Sequence, residues 1–234
     1  MQLFYNADLD NSSKQFNFSS EESKHIVKVL RKRAGDLLTI TNGKGYLFEA
    51  EILAADPKKC RAQIVRVKKT IPRLHSLHMA VAPTKMNDRY EWFLEKATEI
   101  GVNEFSPIRC DHSERKVIKH ERYQKVIQSA MKQSLQTFLP KLNPLVDFKT
   151  FVEQDHQGLK FIAHCAEGDK MELKRSVAPD KDVIILIGPE GDFSEEEISL
   201  AVKNGFVPVS LGPNRLRTET AALVACTIVA MINH

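Results

Sequence analysis

The sequence predicts an α/β protein of two domains, a small closed N-terminal β-barrel and a C-terminal α/β domain with a mostly parallel sheet. Short strand-like segments dominate the chain up to Pro72, and strands alternate with helices after it. The segment Ile71-Pro72-Arg73 separates the two patterns. We therefore place the barrel at residues 1–72 and the α/β domain at residues 73–234.

The barrel is predicted from five short segments in which apolar and polar residues tend to alternate. The segment Asn42-Gly43-Lys44-Gly45 predicts a hairpin turn, because its glycines can adopt positive φ. One helix interrupts the strands, and Ser19 with Glu22 three residues later predicts a capping box at its start. The predicted strands cover residues 3–5, 16–18, 36–41, 47–53 and 60–67.

The α/β domain is predicted from apolar runs, which are typical of buried parallel strands, and from helical spacing between them. Gly101 predicts the end of one helix, and Ser194 with Glu197 predicts a capping box at the start of another. The predicted strands cover residues 77–82, 105–108, 159–165, 182–188 and 207–211. Besides the helix that begins after Ser194, the predicted helices cover 85–101, 121–138 and 218–232.

The composition excludes several classes of protein. With 42% hydrophobic and 27% charged residues the chain has the make-up of a globular protein. No apolar run approaches the ~20 residues of a membrane span, and the first residues do not resemble a signal peptide. The four cysteines are far apart in sequence and the histidines are scattered, so we expect no metal site and a reducing, cytoplasmic setting.

The charge is unevenly distributed along the chain. Residues 1–72 carry a net +5, residues 73–150 carry +4 and residues 151–234 carry −5. A basic region of this size suits a polyanionic partner. An unevenly charged, solvated surface explains the same numbers equally well at this point.

Two glycine-containing loops follow predicted strands of the α/β domain. Ile187-Gly188-Pro189-Glu190-Gly191 follows one strand, and the segment from Leu211 to Ala221 follows the next and opens the last helix. Ligands bind outside the carboxyl ends of strands in open α/β sheets, so both loops could form walls of one pocket. The alternative is structural: a tight turn, a helix cap at Thr218 and an ion pair of an arginine with Glu219.

These loops resemble a known family. IGPEG, a capped helix and then SLGPNRLRTETAA are similar to the C-terminal region of SPOUT methyltransferases, and particularly of the ribosomal RNA small subunit methyltransferase E family. HIVKVLR at 25–31, Lys85, KATEIGV at 96–102, SER at 113–115, and Ala130, Gln133, Ser134 and Pro140 resemble further motifs of that family in the same order. The chain departs from the family's pattern at Asp192, Lys132 and Gln136.

The resemblance implies a trefoil-knot SPOUT domain, whose last helix passes through a loop of the chain, and a PUA-like RNA-binding barrel before it. It implies S-adenosylmethionine as the cofactor and methylation of uridine N3 in 16S ribosomal RNA, a step of rRNA processing in ribosome biogenesis. It also implies a homodimer that acts on small-subunit ribosomal RNA, free or assembled in the 30S subunit. The cofactor-binding residues it implies are Ile187, Gly188, Pro189, Glu190, Gly191, Leu211, Gly212, Leu216, Arg217, Thr218, Glu219, Thr220 and Ala221.

Methyl transfer to N3 requires that the uracil lose a proton. We expect Arg217 to stabilise the negative charge that develops on the uracil, and Glu190 to act as a general base or to orient its loop. Glu219 is expected to be a helix-start residue. Two other functions stay open: a non-catalytic RNA-binding protein of the same fold, and a SPOUT methyltransferase acting on another RNA.

Basic residues group in two places and are expected to contact RNA phosphates. The first group lies on or after the barrel's helix, and the second lies in a loop of the α/β domain. Each residue alone could equally be a solvated surface residue. The expected RNA-binding residues are Lys28, Arg31, Lys32, Arg33, Arg115, Lys116 and Lys119.

Overall fold

The computed structural model describes residues 2–233. The chain divides into two compact units. The first contains the residues up to Pro72 together with Met131–Leu139, and the second contains Arg73–Ala130 and the residues from Pro140 onward. The segment Met131–Leu139 thus packs with the N-terminal unit, although the sequence places it in the range of the α/β domain.

The first unit is built on a five-stranded sheet in the order β1-β3-β4-β5-β2. Its strands are β1 Leu3–Tyr5, β2 Gln15–Asn17, β3 Leu37–Thr41, β4 Tyr46–Ala54 and β5 Arg61–Lys69. β1 is parallel to β3, and the other neighbouring strands are antiparallel. The rings of Phe4 on β1 and Phe18, just after β2, lie 5.7 Å apart, so the side chains of the two edges meet over the core.

The predicted hairpin at Asn42–Gly45 is confirmed, since β3 and β4 pair on either side of it. The predicted helix is short: α1 covers Ser20–Lys24 and continues as a π-helical turn, His25–Val29. The Ser19 hydroxyl accepts a hydrogen bond from the Glu22 N–H, as predicted. The second half of the capping box is wrong, because the Glu22 carboxylate pairs with Lys132 at 3.1 Å.

The second unit contains an eight-stranded sheet in which every pair of neighbouring strands is parallel. The order is β11-β13-β10-β12-β6-β7-β8, with β9 also paired to β7. Its strands are β6 Leu77–Val81, β7 Glu104–Arg109, β8 Lys141–Leu142, β9 Val146–Asp147, β10 Leu159–Ala163, β11 Met171–Glu172, β12 Val183–Ile187 and β13 Val207–Ser210.

The helices after β6 are α2 Asn87–Ile100, α3 His120–Gln133, α4 Phe148–Val152, α5 Leu173–Ser176, α6 Glu195–Lys203 and α7 Thr218–Ile232. The central strand β12 reads VIILI and is buried at every position, as a parallel strand covered on both faces must be. The apolar helix α7 packs against α2, α5, β6 and β12. None of the helices among residues 2–233 is both long and apolar enough to span a bilayer.

Three details of the sequence prediction can be compared directly with the helices. Gly101 ends α2 in the left-handed conformation, with a φ of 106°, as predicted. The Ser194 capping box is complete, because Ser194 and Glu197 bind each other's backbone N–H groups. The helix predicted over 121–138 is too long: α3 ends at Gln133, and Leu135 has a φ of 58° that a continuing helix does not allow.

Candidate active site

A cavity of about 760 Å³ lies at the carboxyl ends of the neighbouring strands β10, β12 and β13. Both glycine-containing loops line it, and the segment after β10 forms a further wall. Gly212 has a φ of 129°, which side-chain-bearing residues rarely adopt, and a Cβ built there would have no neighbour within 4 Å. Gly212 therefore allows the positive φ that the loop requires, and no side chain fills the space beside it at the cavity.

Ten of the thirteen residues expected at the cofactor site line this cavity. Gly191, Glu219 and Thr220 do not. The ten are Ile187, Gly188, Pro189, Glu190, Leu211, Gly212, Leu216, Arg217, Thr218 and Ala221. The sequence analysis missed the wall after β10, which carries no motif; its only signal is that β10 ends at the same edge of the sheet. That wall consists of Ala163, His164, Cys165 and Lys170.

The loop after β12 forms a tight turn in which the Asp192 N–H donates to the Pro189 carbonyl at 3.0 Å. A Cβ at Gly191 would lie 2.9 Å from the Cβ of His112, closer than real Cβ atoms come. His112 also holds this loop, since its Nδ1 lies 3.0 Å from the Gly191 carbonyl oxygen. Gly191 is therefore needed for close packing behind the cavity rather than for its lining.

Glu190 is exposed at the cavity and its carboxylate accepts a hydrogen bond from the Lys85 N–H at 2.9 Å. The Lys85 ammonium in turn pairs with Glu114 at 2.7 Å, and this hydrogen bond raises the pKa of Lys85. Arg115 donates to the carbonyls of Thr84 and Lys85 at 2.9 and 2.6 Å. The Glu190 carboxylate thus connects its own loop to the loop that contains Lys85. Arg115, an expected RNA contact, also binds that second loop.

Asp192 stands where the family pattern has a second glycine, and the structure explains why that position is restrictive. Its φ is 63°, in the left-handed region, which aspartate tolerates better than most residues. Its carboxylate accepts hydrogen bonds from the backbone N–H groups of Cys165 at 2.7 Å and Phe193 at 2.9 Å. Asp192 also lines the cavity.

The loop before α7 differs in two respects from the structural alternative considered for it. Arg217, not Thr218, occupies the N-cap position, and Thr218 is the first, buried residue of the helix. The partner of Glu219 is Arg89 on α2, with Oε1 3.8 Å from Nε, rather than an arginine of the loop. Arg217 itself is exposed, lines the cavity and has no side-chain hydrogen bond or ion pair within residues 2–233.

Charges of both signs surround the cavity. Lys170 donates to the His164 carbonyl at 2.8 Å and so closes the loop after β10. Burial, together with the nearby Lys170 charge, lowers the pKa of His164, so its imidazole is neutral at neutral pH. Arg217 supplies a cation on one wall, and Glu190 and Asp192 supply carboxylates on another.

The remaining residues expected to bind RNA lie at the surface. In the first unit Lys28, Arg31 and Arg33 are exposed and Lys32 is half-buried, at the end of the π-helical turn and just after it. In the second unit Lys116 and Lys119 are exposed in the loop before α3. Among residues 2–233 there is no group of three or more His, Cys, Asp or Glu side chains placed to hold a metal ion.

Comparisons with known proteins define the class of this fold and site. Residues 70–230 match the family model of an RNA methyltransferase domain, and residues 18–65 match that of an RNA methyltransferase PUA domain. Together these matches cover most of the chain.

Individual relatives indicate which family of RNA methyltransferases the chain resembles. The chain is 34% identical to the ribosomal RNA small subunit methyltransferase E of Buchnera aphidicola, over 96% of this chain and 90% of that protein. A crystal structure described as that of a probable rRNA-methyltransferase from Porphyromonas gingivalis matches with a TM-score of 0.92 and 40% identity, over 100% of this chain and 98% of that one. A methyltransferase from Legionella pneumophila, solved with the cofactor SAM bound, matches with a TM-score of 0.87 and 31% identity, over 99% and 97%.

The chain belongs to the ribosomal RNA small subunit methyltransferase E family. The family, the fold class and the class of enzyme predicted from the sequence are confirmed. The assignment of roles to individual residues stays a prediction.

Proposed function

We propose that this chain transfers the methyl group of S-adenosylmethionine to N3 of a uridine in 16S ribosomal RNA. The observation that carries the proposal is the cavity at the carboxyl ends of β10, β12 and β13, which the IGPEG loop and the LRTET loop both line. The relative from Legionella pneumophila, described with SAM bound, supports the choice of cofactor.

The cavity fits such a cofactor in size and in charge. Its volume of about 760 Å³ lies within the range of sites for small molecules. S-adenosylmethionine carries a carboxylate, an ammonium and a sulfonium, and the walls offer both cations and carboxylates. Backbone groups beside Gly212 have open space next to them, because a Cβ built there would have no neighbour within 4 Å. When bound, the cofactor supplies an electrophilic methyl group on its sulfonium.

The residues of the chain have to bind the uracil and to favour loss of its N3 proton. We assign the first task to Arg217, because its guanidinium has no partner within residues 2–233 and lies at the cavity. A guanidinium there stabilises the negative charge that develops on the uracil oxygens. We assign Glu190 an orienting role rather than that of a base, because its carboxylate already accepts the Lys85 N–H.

Basic residues of both units are proposed to contact the RNA backbone. Lys28, Arg31, Lys32 and Arg33 form the group in the first unit, and the exposed side chains of Lys116 and Lys119 form the group in the second. Affinity for RNA is then expected to fall steeply with salt concentration. We further propose that the enzyme acts as a homodimer in the cytoplasm, on small-subunit ribosomal RNA that is free or assembled in the 30S subunit.

The role of Arg217 can be tested by Arg217→Lys, which keeps the charge and removes the planar, bidentate donor. We expect kcat/KM to fall about 100-fold, the order expected when a preorganised donor is removed from an active site. The Kd for S-adenosylmethionine, measured by calorimetry, should change much less. Arg175→Lys, on the exposed side of α5, is the matched control and should keep full activity. Full activity of Arg217→Lys would contradict the assignment.

A further inference from the structure

Asp192 has a left-handed backbone conformation and a carboxylate that accepts hydrogen bonds from two backbone N–H groups. Its φ of 63° is unusual for a residue with a side chain, and such positions persist only where surrounding contacts hold them. The turn that contains it is closed by the hydrogen bond from the Asp192 N–H to the Pro189 carbonyl. The Asp192 carbonyl oxygen lies 3.1 Å from Nδ1 of His112. These contacts fix the backbone and thereby the direction in which the carboxylate points.

The carboxylate links two walls of the cavity. Oδ2 accepts the N–H of Cys165, in the segment after β10, at 2.7 Å, while Oδ1 accepts the N–H of Phe193, in its own loop, at 2.9 Å. β10 and β12 are neighbouring parallel strands, so the two segments leave the sheet side by side. A hydrogen bond to an ionised carboxylate is shorter and stronger than one between neutral groups. The hydrogen bond from the Cys165 N–H to Asp192 therefore connects the segment after β10 to the loop after β12.

We propose that Asp192 is a positioning residue for the methyl donor: it holds the segment after β10 against the loop after β12 and so fixes the width of the cavity between them. This role rests on the proposed function, since it requires that the cavity bind S-adenosylmethionine. Asp192 need not touch the cofactor, because its effect is transmitted through the Cys165 N–H.

Three variants separate the carboxylate's contact from the backbone conformation. Asp192→Gly keeps the left-handed backbone and removes the link between the walls. Asp192→Asn tolerates the same backbone and retains an oxygen that can accept the Cys165 N–H. The matched control is Asp180→Gly, which removes another aspartate of positive φ, 54°; Asp180 is exposed and lies at the amino end of β12, therefore at the opposite edge of the sheet.

The readouts are the Kd and KM for S-adenosylmethionine, the KM for RNA, kcat, and the hydrogen-exchange rate of the Cys165 amide in the cofactor-free protein. For Asp192→Gly we expect the Kd and KM for the cofactor to rise about tenfold, the effect of one lost charge-assisted hydrogen bond. The Cys165 amide should exchange faster, whereas kcat and the KM for RNA should change little. Asp192→Asn should restore most of the cofactor affinity, and Asp180→Gly should behave as the unmodified protein.

Cofactor affinity in Asp192→Gly equal to that of the unmodified protein would overturn the proposal. So would a loss of affinity without faster exchange at Cys165, because the link between the walls would then not be its cause. Failure of the unmodified protein to bind S-adenosylmethionine would contradict the proposed function itself and remove this role with it.

Discussion

The pH dependence of the free energy of unfolding tests the environment that the structure gives His78. His78 lies on β6 within the second unit, where its Nε2 is 2.8 Å from the Ser106 hydroxyl. Burial, the largest effect, lowers the pKa of His78 from 6.5 to about 4; Glu104 opposes this change, and His156 and Lys141 reinforce it. The folded protein therefore keeps His78 neutral over a range in which the unfolded chain takes up a proton.

The sign of the effect follows from proton linkage. Because the pKa is lower in the folded state, the contribution of His78 to stability is present above pH 6.5 and is lost as the pH falls towards 4. The difference between these pKa values corresponds to a loss on the order of 3 kcal/mol in the free energy of unfolding. His78→Gln cannot titrate in this range, so its free energy of unfolding should fall less over the same pH interval by about that amount.

The assay is denaturant unfolding at successive pH values, followed by the fluorescence of Trp92. This residue is the only tryptophan of the chain and lies on α2, so it reports on the second unit. His120→Gln, at the start of α3, is the control and should follow the unmodified protein. Parallel pH dependence of the unmodified protein and His78→Gln would refute the reasoning.

Three other substitutions, at two positions, test the loop after β12. Glu190→Gln keeps an oxygen that can accept the Lys85 N–H, so turnover should stay within a few-fold of normal, whereas Glu190→Ala should lose about tenfold or more. Equal, large losses in turnover assays of both variants would instead indicate a general base. Gly191→Ala brings a Cβ within 2.9 Å of the His112 Cβ and should lower the free energy of unfolding by about 1–3 kcal/mol. An unchanged midpoint of thermal unfolding would contradict the close packing behind this loop.

Much of the fold could be predicted because the strongest local signals agreed with the tertiary structure. The run VIILI could only be a buried strand or a buried helix, and its flanking glycine and charged residues favoured the strand. Gly101 and the pair Ser194 and Glu197 marked helix boundaries correctly, because caps and left-handed glycines act within a few residues. Both loops of the cavity could be located for a similar reason: each directly follows a strand of the parallel sheet.

What the sequence could not show depends on contacts between distant residues. β8, β9 and β11 have two residues each, too few to display a period. Glu22 pairs with Lys132, more than a hundred positions away, so the expected reciprocal cap did not form. At the site, the wall after β10 is recognisable only through its position beside β12 and through the bond from Cys165 to Asp192.

The central claim is the reaction and the atom it modifies, and one measurement tests it most directly. The purified protein would be incubated with labelled S-adenosylmethionine and small ribosomal subunits from cells that lack the endogenous activity, and the RNA would be hydrolysed to nucleosides. We predict that the label appears in 3-methyluridine. Label in a different nucleoside, or no transfer by a protein that binds the cofactor, would contradict the account.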